Sequence, residues 1–263
     1  MVSEMQEWSK PRIREIKSQE KAKGDGRLLR ERMDLMGDIV QQETDHALLE
    51  FNDANLDKLK EIKSIVIVGP SGAGKSTLVD VMRHYVESSG LGERFAVPKR
   101  VVSRPQREKD NLIENEFAGS SEEFEEKTRG GIRWRRKMDL NAGGRIEHYG
   151  FVAAPAGAIP VYSANLAILS AEAHLEAPAS FLENTLIVYI DARPHILYDR
   201  LAQRSPDILK NKPEEAAMRL AGDKEGVREK AHVVLRTRNV ERERGLYADT
   251  MTILLSEIDK IKR

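Results

Sequence analysis

The stretch Ile65-Val66-Ile67-Val68-Gly69-Pro70-Ser71-Gly72-Ala73-Gly74-Lys75-Ser76-Thr77-Leu78 decides how the rest of the chain is read. Gly69 to Ser76 satisfies the spacing G-x-x-x-x-G-K-[ST]. Glycines at these places let the backbone curl, so that successive N–H groups point into one concavity able to hold polyphosphate oxygens. Lys75 is expected to reach the outer phosphates, and the Ser76 hydroxyl is placed to ligate Mg²⁺. Context supports the match. Four β-branched residues precede the loop, as in a buried parallel strand. After it, Leu78, Val81, Met82 and Tyr85 recur at helical spacing, so the helix adds its positive N-terminal end to the same anion.

A strand, a glycine loop and a helix in this order make a P-loop, and a nucleoside triphosphate is the expected ligand. Gly69, Ser71, Gly72, Ala73, Gly74, Lys75, Ser76 and Thr77 are the candidate nucleotide-binding residues, with Ser76 also the candidate metal ligand.

The remaining composition narrows the class. Hydrophobic residues make up 40% of the 263-residue chain, enough for a real core, and charged residues 33%, which suggests much exposed helical surface. Lys+Arg and Asp+Glu are both 43, so net charge gives no reason to expect nucleic acid or an acidic membrane as partner. The absence of cysteine excludes a disulfide scaffold, thiol catalysis and cysteine-ligated zinc. Six histidines are scattered without ligand spacing. The N-terminus is charged and lacks an apolar leader-like core, and no run approaches about 18 apolar residues, so a cytoplasmic protein with no membrane partner is expected.

Along the chain, residues 1 to about 26 are polar, with Lys23-Gly24-Asp25-Gly26 as a breaker. From Arg27 to Phe51 the pattern is helical. Leu29, Met33, Met36, Val40 and Ala47 resemble a short heptad seam, interrupted by Glu43. The stripe either packs on the rest of the chain or pairs with a second copy in a homodimer; a specific partner-binding role is the third reading. Asn52-Asp53-Ala54-Asn55 reads as a cap or turn before another short helix ending near Ile62. The division expected is therefore a charged helical extension over 1–62 and a nucleotide-binding domain over 63–263. In the latter, strands are expected at 65–68, 100–103, 132–138, 145–151, 158–162, 185–190 and 232–235. Helices are expected at 75–87, 120–128, 165–174, after Pro194, and from Leu246 to Ile261. Strands alternating with helices predict an α/β fold with a parallel central sheet.

Several segments together resemble the guanylate kinases and their close relatives. Gly-Pro-Ser-Gly-Ala-Gly-Lys-Ser-Thr is similar to their loop. Ser103-Arg104-Pro105-Gln106-Arg107 through Ser120-Ser121-Glu122-Glu123-Phe124 matches their acceptor segment without a gap. Trp134 and Tyr149-Gly150 stand in similar places, and so do Val188-Tyr189-Ile190-Asp191, Leu201-Ala202-Gln203-Arg204 and Met218-Arg219-Leu220. The resemblance covers about residues 63–261. It implies a three-layer P-loop fold with a mobile lid, and transfer of the γ-phosphoryl of ATP, with Mg²⁺, to the phosphate of a small acceptor. Lys75, Arg204 and Arg219 are then the catalytic candidates, the two arginines closing over the transferring group to stabilise its charge; Arg200 competes for that role. Arg104, Arg107 and Tyr149 would hold the acceptor phosphate.

Where guanylate kinases read guanine with a glutamate, a small hydroxyl residue and a strand aspartate, this chain carries Arg133, Phe151 and the acid-free run Val161-Tyr162-Ser163-Ala164-Asn165. Arg135, Arg136 and Lys137 add positive charge beside them. The chain is thus also similar to ribose 1,5-bisphosphate phosphokinases, so the resemblance implies as acceptor either a nucleoside monophosphate such as GMP or a sugar phosphate with a second anionic group, such as ribose 1,5-bisphosphate. Without a strand aspartate, Mg²⁺ would rest on Ser76, phosphates and water. Asp191 is either an outer-shell substitute or the cap of the helix at Pro194.

Two other classes compete. Asn211-Lys212-Pro213-Glu214 nearly spells the guanine-reading motif of a GTPase, but it ends in Glu and follows no apolar strand. A non-catalytic, nucleotide-gated interaction module would use the N-terminal helix as its contact surface; the retained Lys75-Ser76 and the lid arginines speak against it.

Overall fold

The computed structural model describes residues 24–35, 47–106, 112, 114–138, 145–170, 174–204, 206–211, 216–217, 226–237 and 243–263. Its elements in order are α1 (Asp25–Leu35), β1 (Ala47–Phe51), α2 (Asp53–Leu56), β2 (Ser64–Val68), α3 (Lys75–Ser88), β3 (Phe95–Ala96), β4 (Arg100–Val102) and β5 (Asn115–Phe117). There follow α4 (Ser121–Lys127), β6 (Ile132–Met138), β7 (Arg145–Phe151), β8 (Ile159–Ser163) and β9 (Thr185–Asp191). The chain closes with α5 (Pro194–Arg204), α6 (Pro206–Asn211), α7 (Val227–Lys230), β10 (Val233–Thr237) and α8 (Glu243–Lys262).

Among the described residues the strands form two sheets. The central one has the order β1-β10-β9-β2-β8-β3, and the smaller one β5-β4-β7-β6. From β10 to β3 the central pairings are parallel, while β1 lies antiparallel on the β10 edge. β2 sits mid-sheet because Ser-Ile-Val-Ile-Val is apolar on both faces, and all its residues are buried. The pleat sends Ile65 and Ile67 to one side with Val188, Ile190 and Leu235. There they meet Leu78, Val79 and Met82 of α3 and Met251, Leu254 and Ile258 of α8. Val66 and Val68 face the other way with Ile187 and Tyr189, against Val102, Trp134, Tyr149 and Phe151 of the small sheet. The result is an α/β fold of three layers: helices, parallel central sheet, small sheet. Each fully buried aliphatic or aromatic side chain in these layers contributes about 1.5–3 kcal/mol.

Two departures from the expected elements matter. Residues 47–51 are a strand, not the end of a helix running from Arg27. β10 would otherwise present an unpaired row of backbone donors and acceptors, and β1 satisfies it in the register Leu49↔Leu235. Glu50 adds a cross-strand ion pair to Arg236 (3.2 Å) and a second ion pair to Arg228 of the helix before β10 (3.0 Å). Helix α1 keeps the expected type and is described from Asp25 to Leu35, and Met36 and Val40 lie outside the described residues. Leu29, the first residue of the seam, is fully buried with Leu56, Leu59 and Ile62 in the core beneath α8. Asp25 fastens this corner, accepting from the Ile62 amide at 2.7 Å and pairing with Lys262 at 2.8 Å.

The second departure is at 165–174, where a helix is expected. A 3-10 turn, Leu166–Leu169, is capped by the Asn165 side chain and ends at Ser170, whose backbone is extended. Ile168 and Leu169 are both buried by this turn, which needs no further helix to cover the sheet. Among the described residues no helix is long and apolar enough to cross a membrane.

Candidate active site

The loop from Gly69 to Ser76 runs from the end of β2 into α3, at the carboxyl edge of the parallel strands. Two glycines are required by position. A Cβ on Gly69 would lie 2.7 Å from the Ile190 carbonyl oxygen of β9. Gly74, at φ 99°, caps α3 in a left-handed conformation. Lys75 is folded back on its own loop, donating from Nζ to the Gly69 and Pro70 carbonyls at 2.8 Å each. Those two carbonyls hold the ammonium at the mouth of the concavity. Arg200, in α5, donates to the Gly72 carbonyl at 2.8 Å, so this helix crosses the same loop.

Ser76 Oγ donates to Glu114 Oε2. Glu114, just before β5, is 5% exposed, and its other oxygen accepts from Ser163 Oγ of β8 at 2.7 Å. Arg100 lies 3.7 Å from the same carboxylate. Burial pushes the Glu114 carboxyl up, but Arg100, Ser76, Ser163 and Lys75 together outweigh it and hold the group below its ordinary value. The sequence reading did not single out Glu114.

On the small sheet, Tyr149 Oη donates to the buried Glu147, and Arg104 Nε lies 3.7 Å from the other oxygen of that carboxylate. The Arg104 guanidinium covers the Phe117 ring at 5.1 Å, and that of Arg100 covers the Tyr149 ring at 5.7 Å. Trp134 stacks on Tyr149 from the neighbouring strand, at 5.5 Å and 18°. Arg100 also grips Asn115 Oδ1 at 2.9 and 2.7 Å, which locks β4 to β5. One connected set of side chains therefore runs from Ser76 through Glu114, Arg100, Tyr149 and Glu147 to Arg104.

The structure thus brings Arg104 and Tyr149 together, and joins them to Ser76 through residues the sequence reading missed. Arg107 and Arg219 lie outside the described residues, and Arg204 is described only as the last residue of α5. Of the basic run on β6, Arg133 and Arg135 do not converge on this set. Alternation turns Trp134 into the core, and Arg133 and Arg135 to the opposite face, around a cavity of about 170 Å³ also lined by His148 and His174. There Arg133 is paired with Glu125 and, at 3.1 Å, with Glu176. Asp191 is bound to Arg236 Nε at 2.9 Å and lies 3.9 Å from Arg228. Groups of three or more metal-ligating side chains do not occur among the described residues. The Ser76 hydroxyl beside a buried carboxylate fits a Mg²⁺ held mostly by phosphate oxygens and water.

Ribose 1,5-bisphosphate phosphokinase PhnN of Burkholderia mallei (strain SAVP1) is 30% identical over 143 residues, 53% of this chain and 68% of the relative. The protein of the same name from Burkholderia pseudomallei (strain K96243) gives the same figures. The chain belongs to the guanylate kinase-like family. It is a phosphotransferase of that family. Among solved structures, a guanylate kinase from Anaplasma phagocytophilum aligns over 80% of this chain and 88% of its own, at 12% identity and a TM-score of 0.40. No family model matches the chain.

Proposed function

We propose that the protein transfers the γ-phosphoryl group of ATP to the phosphate of a small acceptor. A sugar phosphate of the ribose 1,5-bisphosphate kind is the first candidate, and a nucleoside monophosphate such as GMP the second. The observation that carries this reading is the unbroken side-chain set from Ser76 to Arg104, which couples a triphosphate loop to an arginine–tyrosine pair suited to a second phosphate. The names of the Burkholderia relatives favour the sugar phosphate. So does the guanine-reading place held by Arg133, which is neutralised by Glu125 and Glu176 and turned away from Tyr149.

On this reading the loop amides of residues 69–76 hold the ATP phosphates. Lys75 exchanges two carbonyl partners for phosphate oxygens, so the two hydrogen bonds it gives up in the switch are replaced. Mg²⁺, held by Ser76 and the phosphates, would neutralise charge on the transferring group. Arg104 and Tyr149 would exchange Glu147 for the acceptor phosphate, a stronger anion for the arginine fork. Arg204 stands one turn, about 6 Å, beyond Arg200 on the helix that crosses the loop, and the resemblance to guanylate kinases adds Arg219 as the second lid arginine. Closing both over the site would stabilise charge on the equatorial oxygens and exclude water, favouring transfer over hydrolysis. We assign this activity to residues 63–263, with residues 1–62 as an addition to the kinase unit.

A coupled assay of ADP release tests the reading with ribose 1,5-bisphosphate, GMP and other phosphorylated acceptors. The expected result is turnover well above the acceptor-free rate with the sugar bisphosphate. Equal rates with and without every acceptor would sink the kinase assignment, and preference for GMP would reverse the order of acceptors.

A further inference from the structure

Glu114 is a buried carboxylate whose partners do not account for its position as packing alone. It lies on the loop entering β5, on the acceptor-side sheet, yet its two oxygens meet Ser76 of the phosphate loop and Ser163 at the end of central strand β8. Burying an ionised carboxylate is costly unless charge and hydrogen bonds compensate it. Here two hydroxyl donors, the Arg100 guanidinium and the field of Lys75 do so. A neutral side chain of similar shape would hold the sheets together without that cost.

A serine hydroxyl has one proton and two lone pairs. In a P-loop the lone pairs serve the metal, so the proton must be taken elsewhere, and Glu114 Oε2 takes it. Ser163 donates to Oε1 and fixes the plane of the carboxylate, while Arg100 braces it from β4.

We propose that Glu114 is the metal-site carboxylate of this chain, a positioning residue that fixes the Ser76 hydroxyl and faces the nucleotide-bound Mg²⁺ with a negative charge. This deepens the proposed ATP-dependent reading and rests on it. The carboxylate belongs to the acceptor sheet, so the arginine that braces it, Arg100, also covers Tyr149. Metal and acceptor phosphate are then held by one set of side chains. Asp191 has no part in this, being engaged by Arg236.

Nucleotide binding with and without metal tests the proposal independently of turnover. A fluorescent ADP analogue is titrated into the full chain and into Glu114→Gln, once with Mg²⁺ and once with EDTA. Wild type is expected to bind more tightly with Mg²⁺. In Glu114→Gln that metal benefit should fall roughly 10-fold or more, in the range seen when partners of metal ligands are removed. Its metal-free affinity should stay equal or tighten, because a negative charge near bare phosphates has gone. A merely structural role predicts the opposite pattern, with both affinities falling together, and that result overturns the proposal. A retained metal benefit also overturns it. If Glu114→Gln melts below the assay temperature, Glu114→Asp keeps the charge but draws it one methylene back from Ser76. A reduced metal benefit is then expected, and a full one overturns the assignment. If wild type itself binds no ADP under either condition, the donor reading fails and takes this proposal with it. A wild-type metal benefit with an unaffected variant overturns Glu114 alone.

Discussion

The donor and acceptor halves of the site are built in different ways. On the proposed reading the donor half is a backbone device: a loop between β2 and α3 whose amides would hold the phosphates, with Gly69 and Gly74 forced by a close carbonyl and a left-handed cap. The acceptor half is a side-chain device, in which Arg104, Tyr149 and Arg100 are held in place by Glu147, Glu114 and Asn115. A backbone device needs a fixed local order of residues. A side-chain device can be assembled from positions far apart, as Glu114 is from Ser76 and Ser163. The first is also robust to most substitutions outside its few glycines, Lys75 and Ser76, whereas in the second each charge depends on a partner.

The sharpest test of this contrast is Lys75→Ala. It should lower kcat by roughly 10²–10³-fold or more, as for loss of a group that stabilises transition-state charge. The melting temperature should hardly move, since Lys75 donates to the Gly69 and Pro70 carbonyls of its own loop. A large stability loss would mean the lysine is a strut of the donor loop and not its phosphate ligand. Arg104→Ala ranks next. Losing a charge-assisted contact to the acceptor phosphate is worth about 1.5–3 kcal/mol, or roughly 10–150-fold in acceptor KM. The ATP KM should stay within about 2-fold. A change in the ATP constant of equal size would dissolve the division between the halves.

The same contrast explains what was legible beforehand. The donor loop, β2, α3, β9 and α8 follow from local order and periodicity, and the structure has each of them. Ser120 caps α4 as its Ser-x-x-Glu pattern predicts, accepting from the Glu123 amide while Glu123 takes the Gly119 amide. Strand β1 was not legible, because its helical spacing is real and only the open edge of β10, 182 or more residues later, gives it a reason to extend. Glu114 and Glu147 were hidden for a similar reason. Each stands among other charged residues, and nothing local separates a buried acid from a solvated one. The one usable signal was indirect: the strand that ends at Ser163 lacks an aspartate, which leaves room for a carboxylate from elsewhere in the chain. The basic run Arg133 to Lys137 is the reverse case. Four charges in five residues suggest one patch, but a strand sends alternate positions to opposite faces.

The central sheet carries its own weakness, which the small sheet does not share in the same form. His232, before β10, accepts at Nδ1 from the Ile187 amide of β9, and burial, followed by the charge of Lys58, pushes its pKa down to about 4. The unfolded chain takes a proton near pH 6.5, whereas the folded chain holds out to about 4. The stabilisation is therefore complete above the unfolded value and is lost as pH falls between the two. From pH 7 to pH 5 the loss should be about 2 kcal/mol. Urea unfolding at the two pH values measures it, and His232→Asn should flatten the difference. An equal pH dependence in the variant would move the cause to another group.

The smallest effect is expected where the sequence places most charge. Arg133→Ala removes a cation that faces Glu125 and Glu176 on the surface opposite Trp134. Surface pairs of this kind contribute about 0–1 kcal/mol. The acceptor KM should change by less than about 3-fold for the sugar bisphosphate and GMP alike, because the side chain is turned away from Arg104 and Tyr149. If Arg133 instead read a second anionic group, its removal would weaken the bisphosphate selectively, by a factor comparable with Arg104→Ala. That outcome would require β6 to present its other face when the acceptor binds. The ratio of the two acceptors' KM changes thus decides whether the acceptor half works with the four residues joined here, Arg100, Arg104, Glu147 and Tyr149, or recruits the charge next door.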